Sequence, residues 1–189
     1  LWPATAWPER EADVSVRGLS GDPVSAGFPE SPLLLGRYGM DTVFSERHRL
    51  HAPDGVRVDG ELLAHAEVPE RADAILASVV KARLGAIIPP IDHGLLPIRA
   101  VHAADYVDYL RTAYTQYAAY RGTPGPLLAD RTGVDPRRLP HRPDGFPALR
   151  DYYTYDYEDP ILAGTWEAAY WSVQVAVTAA SLVQGGARS

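Results

Sequence analysis

Two apolar runs too short to be anything but strands, Asp41-Thr42-Val43-Phe44 and Ala86-Ile87-Ile88, lie on either side of a segment with helical period. The second run is stopped by Pro89-Pro90, which cannot continue a ladder. Between them Val68-Pro69-Glu70 opens a helix, with proline placed where its missing N–H costs nothing. Ala72, Ile75, Leu76, Val79, Val80 and Leu84 then share one helical face, and Gly85 is expected to close the helix. A strand, a helix and a second strand imply an α/β fold with a parallel sheet. Few strands are visible, so the sheet is expected to be incomplete.

Two more helices complete the pattern. One covers roughly residues 103–119, where Tyr106, Val107, Leu110, Ala113, Tyr114 and Tyr117 recur at helical spacing. The other runs from about Gly164 to Val183, is apolar on most faces and is expected to be buried. Its Glu167, Ser172, Gln174, Thr178 and Ser181 argue against a membrane span. Residues 45–67 read as a polar loop. Residues 121–150 carry six prolines and six arginines and read as a long loop.

Residues 1–39 have no helical or strand period and read as a disordered leader or an upstream-translated segment. The chain's single methionine, Met40, coincides with the start of regular pattern, so the folded domain is placed at 40–189. The start lacks a basic region followed by a long apolar run, so a cytoplasmic protein is expected. A net charge of -6 argues against nucleic acid as partner, because phosphate binding wants a basic face. With no cysteine, thiolate metal sites and disulfides are excluded.

Chemistry-bearing residues are sparse. The six histidines, His48, His51, His65, His93, His102 and His141, include no pair at helical zinc spacing. Isolated histidines of this kind are usually solvated or capping groups. Nucleotide and serine-hydrolase motifs are absent. The run Asp151-Tyr152-Tyr153-Thr154-Tyr155-Asp156-Tyr157-Glu158-Asp159 is richest in potential. Its rings and carboxylates both attract cations, so it could line a pocket for an ammonium-bearing ligand. Packing of the same tyrosines on a surface explains it equally well. Arg137, Arg138 and Arg142 could bind phosphate, but their prolines favour a solvated loop.

Taken in order, these pieces resemble the acetylpolyamine amidohydrolases of the histone deacetylase superfamily. Met40 to Leu50 resembles that family's opening strand and Phe-Ser-Glu-x-His run. Gly60-Glu61-Leu62 and Pro69-Glu70-Arg71-Ala72 fit the next loop and helix. His93-Gly94-Leu95 and Val101-His102 through Tyr109-Leu110 look like two further signatures. Tyr152-Tyr153 to Glu158, followed by Gly164-Thr165-Trp166-Glu167-Ala168-Ala169, points to the polyamine branch.

The resemblance implies the N-terminal portion of an arginase-deacetylase fold, a parallel sheet flanked by helices. It implies a full-length parent that is a zinc-dependent amidohydrolase acting on a small-molecule acetylated amine. Zinc held by Asp, His and Asp would activate water, with twin histidines and a tyrosine assisting. By that likeness the twin histidines, the tyrosine and the zinc ligands lie beyond Ser189, so no catalytic or metal residue is expected here and the chain alone is expected to be inactive. Carried over residue by residue, Glu158, Tyr153 and Tyr152 would be substrate-binding rim residues. The family's long loop reaches across a dimer interface, which implies a homodimeric parent. Where the family places acidic residues in its first and long loops, this chain has Val56 and Pro147, with Asp54, Asp59 and Asp144 nearby. The competing expectation is a non-catalytic module that binds cationic amines through the tyrosine and acidic run.

Overall fold

The computed structural model describes residues 39–58, 61–128, 141–154 and 160–186. Outside these fall the proposed leader apart from Gly39, the middle of the arginine-rich loop, and Glu158. In chain order the elements are β1 (Thr42–Val43), a 3-10 helix (Glu46–Leu50), β2 (Val56–Val58), β3 (Glu61–Leu63), α1 (Glu70–Ala82), β4 (Ile87–Ile88), α2 (Leu96–Val101), α3 (Ala104–Arg121), α4 (Ala148–Tyr153) and α5 (Thr165–Gln184).

β1 and β4 pair in parallel, Thr42 opposite Ile87 and Val43 opposite Ile88. The amides of Met40, Thr42 and Phe44 donate to the carbonyls of Leu84, Ala86 and Ile88 at 2.6, 2.9 and 3.0 Å. A parallel pair needs a crossover, and α1 lies within it, as the alternation predicted. Val43 is buried, but Ile87 is 41% exposed. An apolar strand of this kind is expected to be buried, but among the described residues β4 pairs only with β1.

Gly85 does not cap α1. Arg83 does, in the left-handed region at φ 52°, a conformation that costs a side-chain-bearing residue about 1 kcal/mol. Gly85 serves the sheet instead: a Cβ there would stand 2.3 Å from the Met40 carbonyl oxygen. The predicted apolar stripe of α1 is real, yet none of its residues is buried, and Ile75 and Val80 are exposed. The 45–67 segment is more regular than a loop. It holds the 3-10 helix and an antiparallel β2–β3 hairpin, Val56 opposite Leu63 and Val58 opposite Glu61.

The principal core belongs to α3. Tyr109, Ala113 and Tyr117 pack with Leu127, Leu149 and Ile161, flanked by Tyr106, Leu110, Tyr114, Phe146 and Tyr153. Leu127 and Ile161 form an isolated antiparallel bridge, each amide donating to the other's carbonyl at 2.9 Å. Part of the proline-rich loop is thereby stapled to the core. α5 departs from the expectation of a buried apolar helix. Its fully buried residues include two polar ones, Gln174 and Thr178, while Val183 is exposed. No helix among the described residues is long and apolar enough to cross a membrane.

Candidate functional site

Parallel strands discharge their loops at the same edge, and ligands of open α/β sheets gather at such carboxyl ends. Here the loops are Phe44–Leu50 after β1 and Pro89–Leu95 after β4. α5 ties down both. Its first turn meets the 3-10 helix so closely that a Cβ on Gly164 would lie 2.3 Å from the Leu50 carbonyl oxygen. Thr165 Oγ1 accepts the Leu162 amide at 2.7 Å and sits 2.8 Å from His51 Nδ1, so its proton is free to point at the imidazole. Arg47 donates to Glu167 Oε1 at 2.5 Å and lies 4.3 Å from the centre of the Trp171 ring. Both ends of that ion pair are about half exposed, so solvent screens it. Arg47→Ala is therefore expected to cost no more than about 1 kcal/mol in urea unfolding, most of it ring contact.

The second loop is held by a stripe along α5. Ile91 donates its amide to Thr178 Oγ1 at 2.9 Å, and His93 donates its amide to Gln174 Oε1 at 2.7 Å. Gln174 Nε2 reaches the carbonyls of Gly94 and Tyr170 at 3.4 and 3.3 Å. His93 Nε2 lies 3.2 Å from Thr178 Oγ1. The Tyr170 hydroxyl donates to Asp92, which also accepts the Gly94 amide at 2.8 Å. These two donors hold the Asp92 carboxyl below its usual range, and the same bond to Asp92 raises the Tyr170 phenol.

Between the start of α1 and α5 runs an open groove of about 520 Å³, lined among others by His48, His51, Pro69, Ile75 and Thr165. His48 Nδ1 contacts the Ser45 carbonyl at 2.8 Å, and its Nε2 lies 3.3 Å from Asp73 Oδ1. Arg49 reaches the same oxygen at 2.6 Å. His65 accepts the Glu67 amide at 3.0 Å, and His102 follows α2 with its ring against Tyr106. Histidines in these places hold backbone and helices. Among the described residues no three His, Asp or Glu side chains are arranged to take a metal ion. Among those described residues a zinc ion has no fitting ligand set.

Of the candidate rim residues, Tyr152 and Tyr153 end α4, and Glu158 lies outside the described residues. Tyr153 stacks on Tyr109 with centroids 4.6 Å apart and meets Tyr152 edge-on at 4.8 Å. Its hydroxyl donates to Asp105 Oδ2 at 2.6 Å and accepts from Arg142 Nε at 2.8 Å. Burial first, then the bond to Asp105, raises the Tyr153 phenol. That bond in turn is the main reason the Asp105 carboxyl is lowered. The cation beside Tyr153 is thus Arg142, a residue of the chain itself. Sequence reasoning missed Asp105 and Arg142 as partners of Tyr153, because nothing in their spacing joins them. It also used Gln174 and Thr178 only to exclude a membrane span. Tyr170, Gln174 and Thr178 recur every four residues on an apolar helix, and that stripe was the available signal.

No protein-family model matches the chain. Acetylpolyamine amidohydrolase 1 of Pseudomonas aeruginosa is 41% identical over 153 residues, which is 79% of this chain and 43% of the relative. The acetylpolyamine amidohydrolase of Mycoplana ramosa is 35% identical over 147 residues, covering 78% and 42%. In structure the chain is similar to the crystal structure of acetylpolyamine aminohydrolase from Burkholderia pseudomallei, with a TM-score of 0.68, 31% identity, and coverage of 79% of this chain and 42% of that one. The chain therefore spans less than half the length of the relatives it matches.

Proposed function

Because the chain belongs to the acetylpolyamine amidohydrolase family over the 79% of its length that it shares with these relatives, we propose that it is part of a deacetylase acting on acetylated polyamines or similar acetyl-amides. The sequence identity carries this reading. Its two-stranded parallel sheet with flanking helices is part of an arginase-deacetylase fold.

In this reading the described residues supply framework and one side of the site, not the reacting groups. The 3-10 helix and the Pro89–Leu95 loop form a wall at the carboxyl edge of the sheet, fixed by α5. Glu158, Tyr152 and Tyr153, the last through its ring, supply rim contacts to an amine-bearing substrate. A zinc ion supplies water activation in the parent, and its ligands come from outside the described residues. The module reading, an amine bound through the tyrosine and acidic run, competes with Arg142 at Tyr153.

The test is hydrolysis of N-acetylspermidine with added zinc. The 189-residue chain is expected to show no turnover above the metal-only blank. A longer product of the same gene, carrying a twin-histidine segment downstream, is expected to be active. Zinc-dependent turnover by the 189 residues alone would overturn the assignment of the reacting groups. Inactivity of the longer product on every acetylated amine would overturn the substrate class.

A further inference from the structure

The tyrosine-rich run was singled out as a place for an external cation; at Tyr153, within its described part, the neighbouring cation is Arg142 of the chain itself. α3 presents Asp105 in its first turn and Tyr109 one turn later, since residues four apart share a helix face. Tyr153, the last residue of α4, lays its ring on Tyr109 and its hydroxyl on Asp105. Arg142 then donates to that hydroxyl, and its Nε lies 3.9 Å from the Asp105 carboxylate. Its guanidinium carbon is 5.8 Å from the Tyr153 ring centre. A phenol that donates to a carboxylate and accepts from a guanidinium has one fixed rotor and two charge-assisted bonds.

We propose that Arg142 is the resident cation of an aromatic and acidic clamp formed by Asp105, Tyr109 and Tyr153, and that Tyr153 is a positioning residue fastening α4 to the first turn of α3. Its hydroxyl is not available to a ligand while the clamp is closed. The Asp105 and Arg142 side chains are 50% and 41% exposed, whereas the ring between them is packed. The clamp is therefore set by hydrogen-bond geometry rather than by burial of the charges. It joins segments far apart in sequence, which is the purpose such a clamp serves. It does not depend on the deacetylase reading and is tested without activity.

The full chain is labelled at the tyrosine ring carbon that bears the hydroxyl, and the ionisation of Tyr153 is followed by nuclear magnetic resonance. In the wild type Tyr153 is expected to ionise at higher pH than free tyrosine. Asp105→Ala removes a group that opposes the phenolate, so the transition is expected to move to lower pH. Arg142→Gln removes a group that favours the phenolate, so it is expected to move to higher pH. Opposite directions identify direct partners of the hydroxyl; general loosening of the fold moves both the same way. In Tyr153→Phe, which keeps the stacked ring, exchange of the Thr154 amide is expected to rise roughly tenfold, with the His93 amide unchanged. Shifts of one sign in both surface variants, or an unchanged Thr154 amide in Tyr153→Phe, would overturn the clamp.

Discussion

Replacing Gly164 with alanine is expected to destabilise the protein by about 2–3 kcal/mol, although the change adds one methyl group. The added carbon would stand 2.3 Å from the Leu50 carbonyl oxygen and 2.8 Å from the Leu50 Cβ. Both belong to the end of the 3-10 helix, so neither can rotate aside. Relief requires α5 to back away from Leu50. That movement also stretches the His51–Thr165 contact and the Arg47–Glu167 pair. Urea unfolding reads the effect as a lowered midpoint with an unchanged slope. Gly125→Ala is the control, because nothing lies within 4 Å of the added carbon there, and it is expected to stay within about 0.5 kcal/mol. If both variants unfold together, the close approach of α5 to Leu50 is wrong.

Gln174→Leu is expected to cost a similar amount, about 2–3 kcal/mol, for the opposite reason. Leucine fits the volume and suits an apolar helix, so hydrophobicity alone predicts a gain. But Gln174 is fully buried, and its amide is shared among the His93 N–H and the carbonyls of Gly94 and Tyr170. Leucine leaves the His93 amide desolvated without an acceptor, and such an orphan costs more than the net value of the bond it replaces. Gln184→Leu, at the exposed end of the same helix, is expected to be near neutral. Hydrogen exchange separates a local from a global effect: the His93 amide is expected to lose protection before the amides of α3 do. An exchange pattern identical to wild type would remove Gln174 as the anchor of the loop.

Which parts were legible in the sequence follows from how locally each is determined. α1, α3 and α5 stand where their apolar periods put them, because that period is written into consecutive residues. The pairing of Thr42–Val43 with Ile87–Ile88 followed from strand, helix and strand in order. α2 and α4 escaped notice because six residues hold less than two full turns of period. The β2–β3 hairpin escaped because its strands are three residues each in a polar background. Gly85 was visible as a punctuation mark, but its role depends on a partner at Met40 that only the fold supplies. Tyr152 and Tyr153 were found by composition. Their surroundings were not, since Asp105 and Arg142 reach Tyr153 only after the chain has turned back on itself. The burial expected of α5 failed for a related reason: periodicity says which face could be covered, not whether a neighbour among these residues covers it.

Almost everything at the carboxyl edge of β1 and β4 leans on α5, the last of the described elements. Ribosomes deliver a chain from its N-terminus, so the residues to be anchored are made well before the anchor. Until Thr165 has emerged, the 3-10 helix lacks the support of Gly164 and Glu167. Until Gln174 and Thr178 follow, the amides of Ile91 and His93 have only water to bond. Ile75, Val80, Ile87 and Ile91 stay exposed even with α5 in place, so chaperones and proteases have these four to hold both before and after α5 appears.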